Sequence, residues 1–142
     1  MPNQTMERFG FPDTTIREYD HWVVLLRVQQ VTLGSLVLCS KSDDTAFSNL
    51  SAASFEELGT VVNDIERVLS TAFNYDKINY LMLMMVDPNV HFHVLPRYAG
   101  ERSMGELTIV DQGWPAAPKL DAFRELTASE RATLCQRIGG FW

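Results

Sequence analysis

Asn89-Val90-His91-Phe92-His93-Val94-Leu95-Pro96-Arg97 is the stretch on which the fold of this chain turns. Its residues alternate. Val90, Phe92 and Val94 are β-branched or aromatic, and Asn89, His91 and His93 stand between them. Neighbouring strand residues face opposite sides, so the first set enters a core while the second shares the other face. Pro96 has no N–H to give a ladder and is expected to end the strand. Two of the chain's three histidines sit here, their Cα atoms roughly 6.5–7 Å apart if the segment is extended. At that spacing two imidazoles can flank one phosphoryl group, one attacking phosphorus while the other holds a proton or an oxygen. Neutral imidazole is nucleophilic near pH 7, and a small shift makes it an acid. The same spacing lets both rings converge on a metal ion. The pair by itself leaves both chemistries open, together with a purely structural role.

Upstream, Lys77 to Val86 is apolar without alternation, which predicts a central strand covered on both faces rather than a buried helix; Asp87-Pro88 favours the strand. Its methionines read as core filler. Before it, Phe55, Leu58, Val62, Ile65, Leu69 and Phe73 recur at spacings of three and four, the mark of one apolar helical face. Ser54 with Glu57 forms a possible capping box, with Ser51 as an alternative cap, and Asn74 is a natural stop. Trp22 to Arg27 and Gly34 to Cys39 read as paired strands joined by Val28 to Leu33, with Lys41 to Thr45 as a loop. Residues 1–15, polar and carrying Pro2 and Pro12, read as an N-terminal arm. Downstream, Glu106 to Val110 is a further short strand. Thr127-Ala128-Ser129-Glu130 opens a C-terminal helix with a capping box, and Gly139 ends it. This order predicts an α+β domain on an antiparallel sheet of about five strands, with one long central helix and a C-terminal helix.

Composition narrows the function. With 142 residues, 46% of them hydrophobic, the chain has the size and apolar content of one domain, residues 99–142 being a C-terminal extension. A net charge of −6 argues against binding a nucleic-acid polymer, which needs a basic face, but not against a small phosphorylated ligand. Cys39 and Cys135 belong to no Cys-x-x-Cys pair and read as reduced, partly buried thiols. The N-terminus lacks the layout of a signal peptide, and no apolar run approaches the ~20 residues of a membrane span. A cytoplasmic protein with no membrane contact is expected.

His91-Phe92-His93-Val94-Leu95-Pro96-Arg97 resembles the signature of the histidine-triad (HIT) family, His-φ-His-φ-His-φ-φ with φ hydrophobic, often followed by Pro-Arg. The likeness extends to Val31-Thr32-Leu33-Gly34-Ser35-Leu36-Val37-Leu38 and to the long helix between, covering roughly residues 16–98. It is strongest to bacterial members of the dinucleoside polyphosphate hydrolase type. The resemblance implies a small α+β protein that pairs as a homodimer through a continuous sheet. It implies cleavage of nucleoside phosphate derivatives, such as dinucleoside polyphosphates or phosphoramidates, through a nucleotidyl-histidine, with neither metal nor other cofactor. It casts His91 as nucleophile and His93 as the supporting third histidine, and it sets Arg97 where a cation can reach phosphate. Trp22 is a candidate wall of the base pocket, or a core residue.

Several positions depart from the pattern. Asn89 replaces the first histidine; an amide can hydrogen-bond a phosphate oxygen or leaving group but cannot protonate it. Ser35 replaces a histidine after the glycine, and Arg27 stands near an acid or amide that contacts ribose. Residues 84–88 replace a longer Gly-rich phosphate loop, and Asp87 reads as a turn residue or a partner for a histidine. With these changes, a fold that binds nucleotide without turnover is the alternative function, and a metal protein using His91 and His93 is a third.

Overall fold

A computed structural model describes residues 1–142. Its elements are α1 (Gln4–Arg8), β1 (Thr15–Glu18), β2 (Trp22–Leu26), β3 (Gln29–Gln30), β4 (Leu36–Ser40), α2 (Ala52–Phe73), β5 (Lys77–Leu81), β6 (His91–Arg97), β7 (Glu101–Met104), β8 (Leu107–Val110), β9 (Arg124–Glu125) and α3 (Ala128–Gly139). Five strands form one antiparallel sheet in the order β1-β2-β4-β6-β5. β7 and β8 make a separate hairpin, and β3 pairs with β9. The α+β architecture with a five-stranded sheet, a long helix and a C-terminal helix is the one expected.

The sheet is covered on both sides. On one, Trp22, Val24, Leu26, Leu36, Leu38, Val90 and Val94 pack with Val61, Ile65, Val68, Leu69 and Phe73 of α2 and with Leu134 and Ile138 of α3. A side chain of this class contributes about 1.5–3 kcal/mol when fully buried, so this layer is the main source of stability. On the other side, Val23, Leu25, Val37 and Cys39 meet Met6 of α1, with Phe9 and Phe11 packed against them. Every residue of β2 and of β4 is therefore buried, which is why both read as unbroken apolar runs.

α2 starts on Ser51, whose hydroxyl accepts from the Ser54 amide, and ends on Asn74 in the left-handed region (φ 48°). Glu57 does not close a capping box at Ser54. Its carboxylate accepts the amides of Asp20 and His21, pinning the β1–β2 turn to the helix. Phe55 lies at the exposed edge of the apolar stripe. α3 has the expected capping box between Thr127 and Glu130 and runs through Gly139 to a cap at Gly140. Gly34 precedes β4 at φ +87°, and a Cβ there would lie 2.8 Å from the Phe73 ring. The turn into β4 and the end of α2 thus both require glycine.

Two expectations give way. The 77–86 run is not a central strand: only Lys77–Leu81 is extended, at the sheet edge, and Leu83, Met85 and Val86 are exposed. A run without alternation marks two-sided contact but not which two surfaces supply it. Pro96 does not end β6, which continues to Arg97; β4 pairs with β6 only as far as Val94, so the missing N–H of Pro96 costs no bond to β4. Residues 1–15, expected as an N-terminal arm, carry α1 and pack Met6, Phe9 and Phe11 against the sheet. Asn3 caps α1 by accepting from the Met6 amide, and its own amide group donates to the carbonyls of Ser40 (2.8 Å) and Ser42 (2.7 Å).

Candidate functional site

β6 carries both histidines on the face opposite α2. The register pairs His91 with Cys39 and His93 with Val37, which share the side covered by the N-terminal segment. Their rings stand nearly perpendicular with centroids 5.1 Å apart. Both residues are buried. His91 Nδ1 lies 2.7 Å from the carbonyl oxygen of Asn89. A carbonyl only accepts, so Nδ1 carries a proton, and in the neutral tautomer Nε2 is the nitrogen with the lone pair. His93 Nδ1 is buried without a hydrogen-bond partner. Burial, with lesser repulsion from Arg27 and His91, lowers the His93 pKa to about 4, so that ring is neutral at pH 7.

A cleft of about 470 Å³ opens beside the pair. Arg27 enters it from the end of β2, its Nη1 donating to the Gln29 carbonyl and its Nε unpartnered. Arg8 follows from α1 and pairs with Asp87 at 3.4 Å. Arg131 of α3 and Glu125 of β9 complete the charged lining, while Leu83, Met84, Met85 and Val86 form an apolar wall. Met84 holds φ 53°, a conformation non-glycine residues rarely adopt, at the rim of this cleft. Three guanidinium groups around the imidazole pair suit an anionic ligand despite the acidic chain as a whole.

The remaining candidates are placed elsewhere. Asn89 is buried and turned to α1: its Oδ1 accepts the Thr5 amide at 3.1 Å and its Nδ2 donates to the Asp43 carbonyl at 3.0 Å. Arg97 is neither solvent-exposed nor in the cleft. Its Nε and Nη2 donate to Asp111 at 2.7 and 3.0 Å, and Nη1 donates to Asn79. The β7–β8 hairpin that delivers Asp111 follows directly after this arginine, and a buried guanidinium needs such a partner. Ser35 is fully buried within its own turn, its hydroxyl donating to the Thr32 carbonyl and accepting from the Thr32 amide. Trp22 is a core residue, its indole N–H donating to the Ser54 carbonyl and its ring 6.2 Å from Phe92. Of the residues singled out from the sequence, the cleft thus gathers His91, His93, Arg27 and Asp87. No group of three or more His, Cys, Asp or Glu side chains converges as a metal-ligand set.

Arg8, Phe9 and Arg131 were not foreseen. Asn3 with Met6 and Phe9 at threes carries a weak helix signal, but five helical residues fall below any periodicity test. Nothing local marks Arg131, which only the docking of α3 brings to the cleft.

A family model described as HIT domain matches residues 8–100, well over half of the chain. Among solved structures, a histidine triad (HIT) protein from Sinorhizobium meliloti is 21% identical, covering 97% of this chain and 93% of its own, with a TM-score of 0.75. A histidine triad protein from Marinobacter aquaeolei is 20% identical over 95% and 92% of the two chains, with a TM-score of 0.74. A hypothetical histidine triad nucleotide-binding protein from Sulfolobus tokodaii is 16% identical over 90% and 82%, with a TM-score of 0.70. At these identities the likeness is one of fold. No curated protein matches the chain.

Proposed function

The chain belongs to the HIT-domain family, and from that premise we propose that its cleft binds a nucleoside phosphate and transfers the nucleotidyl group to His91. The observation that carries this reading is the bond from His91 Nδ1 to the Asn89 carbonyl, which leaves Nε2 as the free lone pair beside three arginines. In the proposed reaction Nε2 attacks phosphorus, a P–N bond forms as the bond to the leaving group breaks, and water later cleaves the P–N bond to regenerate the imidazole. Arg27 and Arg8 balance the phosphoryl charge. His93 stays neutral at pH 7 beside the nucleophile, its Nδ1 buried without a partner.

Dinucleoside polyphosphates fit this arrangement better than phosphoramidates, because a nucleotide departs as a stable anion whereas an amine needs a proton. Acid quench of the protein with a dinucleoside polyphosphate tests the reading: a mass gain of one nucleotidyl group is expected, absent in His91→Ala. An adduct that survives that substitution refutes it. The second reading, binding without turnover, draws support from the complete engagement of the Asn89 amide away from the cleft. It predicts calorimetric binding of a nucleoside monophosphate with neither adduct nor product.

We assign the homodimer contact to the open edge of β5, whose unpaired ladder groups lie next to exposed Leu83, Met85 and Val86. A dimer by sedimentation that Tyr80→Pro converts to monomer is the expected result.

A further inference from the structure

Asn89 and Thr5 are 84 residues apart and joined twice. The Thr5 amide donates to Asn89 Oδ1 at 3.1 Å, and the Asn89 amide donates to Thr5 Oγ1 at 2.9 Å. Asn89 Nδ2 donates to the Asp43 carbonyl, and the Asn89 carbonyl accepts the hydrogen bond from His91 Nδ1. Each polar group of Asn89 is therefore used, and its side-chain amide is turned away from the cleft. α1 has five residues, too few to persist without tertiary support. Its capping residue Phe9 lies with its ring centroid 5.7 Å from that of His91 and 5.8 Å from that of His93. Where Phe9 sits thus depends on what anchors α1, and the Asn89–Thr5 pair anchors it directly to the histidine strand.

We infer that Asn89 is a positioning residue for the imidazole pair, acting through Thr5 to hold the N-terminal helix so that Phe9 is seated on both His91 and His93. The Asn89 carboxamide meets the Thr5 amide and the Asp43 carbonyl together, so the residue that departs from the family motif is the one that ties α1 to the histidine strand. Phe9 shields the rings from water on the side of α1. Charged groups line the rest of the cleft: Arg27 from β2, Arg8 and Asp87 at the rim, Glu125 from β9 and Arg131 from α3. The inference concerns the geometry of the pair and stands whichever phosphate compound the cleft takes, even none.

The test needs no substrate. Diethyl pyrocarbonate acylates neutral imidazole, and the chain has only three histidines, so peptide mass mapping gives the rate at His91 and His93 relative to His21 as an internal standard. Phe9→Ala is expected to raise that ratio about tenfold and Asn89→Ala about fivefold, while the double variant does not exceed Phe9→Ala alone. Thr5→Val, which deletes one hydroxyl, moves the ratio in the same direction, and Thr5→Ser restores it. A merely structural Asn89 lowers the melting temperature but leaves the ratio alone. The inference is overturned if Asn89→Ala or Thr5→Val stays within about twofold of the parent, or if the Asn89 and Phe9 effects multiply. Should Asn89→Ala fail to fold, the Thr5 pair with Phe9→Ala decides by the same criteria.

Discussion

His91 and the carbonyl of Asn89, two residues earlier on the same strand, are joined by a 2.7 Å hydrogen bond through Nδ1. The bond fixes the ring's orientation, and in the proposed reaction it would support the positive charge that the ring acquires on attack. His91→Ala is therefore expected to abolish the nucleotidyl adduct and to lower turnover by about a thousandfold or more. His91→Ala leaves equilibrium binding of a nucleoside monophosphate within about tenfold of the parent, since that binding rests on the arginines. Quench mass spectrometry and calorimetry check the two halves separately.

His93 makes stability depend on pH. Its pKa falls from 6.5 to about 4 on folding, through burial first and then through Arg27 and His91. Between those values the unfolded chain binds a proton that the folded chain refuses. Stability from this group is thus fully present above 6.5 and is lost as pH falls toward 4. The loss is expected to be roughly 1–3 kcal/mol. His93→Gln, which does not titrate, should flatten that part of the denaturation profile; an unchanged slope between pH 6.5 and 4 would count against the assignment.

How much of this was legible depends on how local each signal is. β2, β4, α2 and α3 announce themselves because their apolar patterns and caps are short-range, and the alternation of Val90, Phe92 and Val94 put His91 and His93 on one face. Sheet position was not legible for Lys77 to Leu81, since an apolar run looks the same at an edge that a second copy could cover. Arg97 was misplaced for a different reason: its partner Asp111 lies 14 residues on, and no spacing rule ties them. Asn89 was read as a weakened catalytic position. The Thr5 contact that engages its side chain joins positions 84 residues apart, out of reach of any local pattern.

Arg97 and Asp111 form a buried ion pair, with side chains only 4% and 1% exposed. Asp111 also accepts the amides of Tyr98 and Gly113, so its loss leaves several donors unpaired. Asp111→Ala is expected to cost about 3–5 kcal/mol, and Arg97→Ala a comparable amount. Neither should change nucleotide affinity more than about twofold, because neither lines the cleft. Chemical denaturation beside calorimetry separates this outcome from a phosphate-binding Arg97, whose loss would weaken binding at intact stability.

Arg27 is the reverse case. Its guanidinium faces the cleft and contributes to the depressed pKa of His93 after burial. Arg27→Met should weaken a nucleoside monophosphate about tenfold or more while leaving the uncharged nucleoside nearly unaffected. The same substitution removes a nearby cation, so the His93 pKa should move up toward its ordinary value, which an NMR titration of the imidazole protons reads. Equal losses for nucleotide and nucleoside would show that Arg27 shapes the cleft rather than meeting the phosphate.

Leaving-group chemistry gives the sharpest test of what Asn89 costs. Protonating a departing group is worth about a hundredfold to ten-thousandfold in rate, and the groups beside His91 supply that proton poorly. Asn89 has no acidic proton and is turned to Thr5 and Asp43, His93 is neutral at pH 7, and the lining cations are guanidinium groups that hold their protons. Transfer to His91 should then depend steeply on the basicity of what leaves. A nucleotidyl ester of nitrophenol, or a dinucleoside polyphosphate, is expected to form the adduct at least about a hundredfold faster than the matching alkyl phosphoramidate. Rates that are equal across this series would mean that a proton does reach the leaving group, and the search for its donor would return to His93.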